Sequence, residues 1–114
     1  DGFGLGIARA AYEHARDFVR DNYLIGRPLP RYARLAGILA EDLRLIDAAR
    51  LLCWRAAWMA DEGIPNSKEA SMAKAYAARV AMKVCADAVQ VLGAHGLEPA
   101  QLVDLPDRNA AHTP

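Results

Sequence analysis

Histidine is scarce in this chain of 114 residues, and its three examples, His14, His95 and His112, stand in unrelated contexts. No Glu-x-x-His pair occurs, which excludes a di-iron centre built from facing helices; Glu13 and His14 are adjacent and so point to different faces. No metal site is expected. Cysteine is equally sparse. Cys53 and Cys85 show no C-x-x-C spacing and fall inside helical patterns, so they read as buried free thiols of a reducing compartment. Basic and acidic residues balance at 14 each, and the lack of basic excess argues against a nucleic-acid surface. No run approaches the roughly 18 apolar residues of a membrane span. The opening DGFGLGIARA lacks the basic and long apolar regions of a signal peptide. A soluble, cytoplasmic protein is the expectation. There is no glycine-rich phosphate loop after a strand and no G-x-S-x-G elbow. Alternating β-branched residues are missing throughout, which excludes strands.

What the chain does have is helix. It is 54% apolar and 25% charged, enough to form the core of one domain spanning residues 1–114. Glycine and proline divide it into three helical stretches. The first runs from about Leu5 to Leu24, with Ile7, Ala11, Ala15, Phe18 and Val19 near a three-to-four residue repeat. GRPLPR (26–31) ends it, because two prolines remove donors and restrict the residues before them. The second runs from about Pro30 to Glu62. Its stripe is Tyr32, Leu35, Leu39, Leu43, Ile46 and Leu52 or Cys53, extended by Ala56 and Met59. Gly63 is placed to cap its C-terminus. Asn66 and Glu69 form the N-cap and N3 pair of a capping box for the third helix. That helix reads Met72, Tyr76, Val80, Val84, Ala88, Val91 and Leu92, and stops at Gly93. Rods of roughly 40–50 Å lie against other rods, so the spacing predicts an antiparallel up-down bundle. Both ends of the chain read as cut. DGFGLGIARA enters its helix without a good cap, and LPDRNAAHTP stops soon after a new polar segment begins.

Three features remain. Ala70, Ala73, Ala75, Ala77, Ala78, Ala81, Ala86 and Ala88 put small side chains on most faces of the third helix, either so that neighbours can approach closely or simply because alanine favours helix. Trp54 and Trp58, four apart, form a ridge expected to pack in the core, with a subunit interface as the second reading. Arg20, Arg27, Arg31 and Arg34 gather around the first turn, as a solvated basic face or as contacts to a phosphate or carboxylate. No catalytic constellation appears among the chain's own residues.

Several stretches together resemble the C-terminal helical domain of the acyl-CoA dehydrogenases. They are GRPLPRY (26–32), LAEDLRLIDAARLL (39–52), RAAWMADEG (55–63), SMAKAYAARVAM (71–82), AVQVLGAHG (88–96) and VDLPDRNA (103–110). They occur in the family's order and cover nearly the whole chain. The resemblance implies an all-α bundle of three long helices with the fourth helix truncated or absent. It also implies FAD as cofactor, acyl-CoA thioesters as substrates of 2,3-dehydrogenation, and assembly as a homo- or hetero-oligomer, dimer or tetramer.

In the family a Gln-x-x-Gly-Gly segment contacts the adenine dinucleotide part of an FAD held mainly by a neighbouring subunit. Here it maps to Gln90 and Gly93, with Ala94 in place of the second glycine and Gly96 three residues after the first. The companion Arg-x-x-Phe-Gly turn reads NYLIG, which puts Asn22 at the arginine position and Ile25 at the phenylalanine position. Ala33 stands where the family often has glutamine, and Arg108-Asn109-Ala110 where it has Arg-Asp-Ala. The family's glutamate base has no counterpart, so no catalytic residue is assigned and this stretch alone is expected to be inactive. The second reading is a non-catalytic structural subunit whose flavin contacts have drifted while its packing surfaces persist.

Overall fold

The computed structural model describes the backbone of residues 2–23 and 29–93 and the side chains of residues 4–22 and 31–93. Its elements are α1 (Gly2–Tyr23), α2 (Leu29–Asp61) and α3 (Ser67–Gly93), with no strand among the described residues. The all-α expectation holds, and the helix limits fall within about three residues of those expected. The fourth helix, expected to be truncated or absent, would fall in residues 94–114, outside the described residues.

The turn between α2 and α3 is built as the glycine placement requires. Gly63 has φ +71°, in the left-handed region that side chains avoid. Its N–H donates to the Ala60 carbonyl at 3.1 Å, and the Ile64 N–H donates to the Met59 carbonyl at 2.8 Å. These two bonds close a Schellman cap. The start of α3 departs from the expected capping box. The Asn66 carbonyl accepts the first helical bond, from Ala70 N–H at 2.8 Å. The Asn66 side-chain amide, however, donates across the turn to the Ala56 carbonyl at 2.8 Å instead of pairing with Glu69. The cap side chain thus ties α3 to α2.

Asn66 bonding Ala56 and Lys83 bonding Asp42 make α2 and α3 antiparallel. Only residues 24–28 separate α1 from α2, and the two helices pack together, so α1 runs parallel to α3. The first turn of α1 lies beside the middle of α3: a Cβ on Gly4 would sit 3.9 Å from that of Ala81. The stretch of α2 and α3 that runs on beyond this level is the arm.

The core follows from this arrangement. Leu5, Ala8, Tyr12, Ala15 and Val19 of α1 are buried against Leu35, Leu39, Ile46 and Ala49 of α2 and Ala77, Val80, Val84, Ala88, Val91 and Leu92 of α3. The buried face of α1 is therefore rotated from the expected one: Ile7 is exposed, while Ala11 and Phe18 only flank the core. Tyr32 and Met72, placed in the stripes by their spacing, are exposed as well. In the arm the buried apolar residues are Ala56, Met59 and Ala73. Trp54 and Trp58 are 62% and 56% exposed, which overturns the expectation that they pack in the core. The Arg50 guanidinium lies over the Trp54 ring, 5.3 Å from its centre. Cys53 and Cys85 are free thiols but only half-buried, and burial pushes the Cys85 thiol upward.

Candidate functional site

The topology brings the C-termini of α1 and α3 and the N-terminus of α2 to one end of the bundle. Asn22 therefore lies at the same end as Gln90 and Gly93. Their states differ. The half-buried Asn22 amide donates to the Phe18 carbonyl one turn back at 2.8 Å, closing its own helix end. Gln90 is exposed and makes no hydrogen bond with a described residue. Gly93 is exposed, and a Cβ built on it would meet nothing within 4 Å. The packing of the described residues thus imposes no need for glycine there. The bare backbone leaves room for a surface from outside. Gly96 lies outside the described residues, as do Ile25, Arg27, Ala94 and the Arg108–Ala110 stretch.

Of the arginine group, Arg20 in the last turn of α1 is held by Asp17 at 3.4 Å and Asp21 at 3.3 Å. Arg31 and Arg34 are exposed in the first turns of α2 and have no carboxylate partner among the described residues. Two helix C-termini carry partial negative charge toward this end and one N-terminus carries partial positive charge. Guanidinium groups here offset the first and offer donors to an anionic group. Among the described residues no cluster of three His, Cys, Asp or Glu could hold a metal ion, and no helix is long and apolar enough to cross a membrane.

Sequence reasoning passed over one group. Lys83 Nζ donates to Asp42 Oδ1 at 2.9 Å and to Asp87 Oδ2 at 2.7 Å. The Asp42 side chain is 1% exposed, and its Oδ2 is buried without a hydrogen-bond partner. Burial, and then the neighbouring Asp87 carboxylate, push the Asp42 carboxyl up to about 6 against the opposing effect of Lys83. Both carboxylates hold Lys83 above its ordinary range. A signal for this group exists in the sequence: Leu35, Asp42, Ala49 and Ala56 recur every seven residues, so Asp42 occupies a core position of the α2 repeat. A stripe drawn through apolar residues alone steps from Leu39 to Leu43 and misses it.

The comparison with known proteins agrees with this architecture. The family described as "Acyl-CoA dehydrogenase, C-terminal domain" matches residues 2–110. The chain is 41% identical over 92 residues to an acyl-CoA dehydrogenase of Bacillus subtilis, covering 81% of this chain and 24% of that protein. It is 38% identical over the same length and shares to cyclohexane-1-carbonyl-CoA dehydrogenase of Syntrophus aciditrophicus. The short-chain specific acyl-CoA dehydrogenase of Clostridium acetobutylicum gives the same figures, 38% over 92 residues with 81% and 24% covered. The chain spans about a quarter of the length of the curated relatives it matches. The family match over residues 2–110 shows that the chain belongs to the acyl-CoA dehydrogenase family, as its C-terminal helical domain.

Proposed function

We propose that this chain serves, within a longer cytoplasmic polypeptide, as the C-terminal domain of an FAD-dependent acyl-CoA dehydrogenase. In this reading residues 1–114 form one domain that supplies a subunit interface and flavin contacts and carries no catalytic base. The observation that supports it is the state of Gln90 and Gly93: one amide unengaged, one backbone uncovered, both at the bundle end where α3 stops. Such an edge suits the dinucleotide part of a flavin whose main binding surface is on another protomer. Gly96 would extend it, and Asn22 would border it from α1.

FAD, when bound, accepts the hydride removed from the acyl-CoA β-carbon. This chain's residues bind and orient. The Gln90 amide can donate to and accept from polar atoms of the dinucleotide, and Gly93 lets its backbone come close. Arg31 and Arg34 lie at the same end for anionic groups. The exposed ridge of Trp54 and Trp58 on the arm is the matching surface for assembly into a dimer or tetramer, because exposed apolar patches of this kind mark interaction sites.

One observation favours the second reading, a non-catalytic structural subunit of a heteromeric enzyme. Asn22 stands where the family's turn has an arginine, and its amide is spent on its own helix. A visible spectrum of the purified parent polypeptide separates the two. Flavin absorbance that bleaches on adding an acyl-CoA supports the enzyme. A colourless protein that acquires flavin only with a second subunit supports the scaffold.

A further inference from the structure

Lys83, Asp87 and Gln90 fall at i, i+4 and i+7 on α3 and so form one row along the helix. The lower part of that row is clamped to α2 through Asp42, and its upper end is the amide assigned above to the flavin. Arg9–Glu13, Arg20–Asp17, Arg44–Glu41 and Arg50–Asp47 each join residues of a single helix, whereas Lys83–Asp42 joins two.

The need for such a link is legible in the packing. α3 meets its neighbours through Ala73, Ala77 and Ala88 as well as Val80, Val84, Val91 and Leu92. The alanine positions are shallow ridges, so the seam at Ala73 and Ala77 resists sliding less than the seam at the valines. Asp42 lies at a core position of the α2 repeat, and Asp87 lies seven residues after Val80 in the core row of α3. A buried polar group at a core position of a helical seam is a recognised way to select one register at a cost in stability.

We propose that the Asp42–Lys83–Asp87 bridge is a positioning element, setting the register and rotation of α3 against α2 so that Gln90 and Gly93 face the cofactor of the neighbouring protomer. This rests on the flavin reading given above. Lys83 touches no ligand; it acts through the helix that carries Gln90. The bridge also specifies against alternatives. In any other register Asp42 keeps its burial and loses its cation, which leaves an uncompensated charge inside the bundle.

The test uses the full-length parent protein with its native cysteines, Cys53 and Cys85 among them, changed to alanine and spin labels on the exposed positions Ala40 and Ala75. Electron-spin distance measurements report the α2–α3 register without reference to flavin. The deciding variant is Asp42→Leu with Lys83→Met, which replaces the buried charges by apolar groups. Its helix content and melting temperature stay at or above the parent's. Its label distances spread by up to one helical turn, about 5.4 Å. Its FAD affinity falls by about tenfold, the scale of one charge-assisted hydrogen bond. Lys83→Arg, which keeps the cation, retains the narrow distance and the affinity.

A double variant with an unchanged narrow distance and unchanged FAD affinity overturns the proposal, because the bridge would then contribute stability alone. If the double variant fails to fold, Lys83→Arg beside Lys83→Gln gives the same reading on distance. A parent protein without flavin in any assembly removes the cofactor reading, while the label distances still decide whether the bridge sets the register.

Discussion

The two ends of this molecule use the same pattern and reach different results. Where α1, α2 and α3 run together, Ile46, Ala49, Ala8 and Ala15 are completely enclosed. Where α2 and α3 run on as a pair, the same heptad-like spacing encloses only Ala56, Met59 and Ala73. Leu51, Leu52, Trp54, Trp58 and Met72 are left in contact with solvent there. Two helices can shield one seam and no more, since each presents an apolar surface wider than a single contact line. Burial on the arm is therefore decided by what packs against it. The apolar pattern of α2 runs through both regions and does not by itself mark the boundary between them.

Substitutions sharpen this contrast, beginning with the largest expected effect. Ile46→Ala removes a fully enclosed side chain from the three-helix part and should lower unfolding free energy by about 2–5 kcal/mol in denaturant titrations. If Ile46→Ala costs less than about 1 kcal/mol, the three-helix part is not the stabilising core described above.

Asp42 gives the next effect, and it depends on pH. Its carboxyl is raised from 3.8 to about 6 in the folded chain, so the folded state binds this proton more tightly than the unfolded state does. The stability this group contributes is full below its unfolded value and is lost as pH rises through about 6. Asp42→Asn should flatten the stability profile between these limits by on the order of 2 kcal/mol. An unchanged slope in thermal melts across that range would show that Asp42 does not titrate as its burial implies.

The arm has its own weak point at the turn. Gly63→Ala forces a side chain into a left-handed backbone conformation and should cost about 1 kcal/mol. No neighbour obstructs the added Cβ, so any loss reports the backbone alone. Smallest of all is Trp58→Ala. In the single chain it should change stability by no more than about 0.5 kcal/mol, because the ring is mostly exposed. Sedimentation of the parent protein should show weakened assembly in the same variant. A large stability loss without any change in oligomer size would break the comparison between arm and core.

Helix positions were legible because their signals are local. Prolines 28 and 30 bracket the start of α2, Gly63 ends it, and Gly93 ends α3, all readable without knowing any neighbour. The faces were harder. Ile7 and Leu5 both fit a helical repeat, and only the position of α1 against Ala81 selects Leu5 for the interior. Trp54 and Trp58 are apolar and correctly spaced, yet both are exposed. Asn66 was legible as a cap residue, but its side chain bonds a carbonyl ten positions back, a contact visible only once the turn is closed. The end carrying Gln90 and Gly93 was reached through family resemblance. Asp42 was missed because a charge in a core position contradicts the rule used to find cores, and its partner Lys83 lies 41 residues away.

The claim on which the rest depends is that the end of α3 leaves space for a dinucleotide from a neighbouring protomer, and Gly93→Val in the full-length protein measures this most directly. Among the described residues nothing lies within 4 Å to oppose the added side chain. The expected result is unchanged helix content by circular dichroism with flavin per subunit and oligomer size both reduced. Full flavin occupancy in an intact oligomer of Gly93→Val would contradict it.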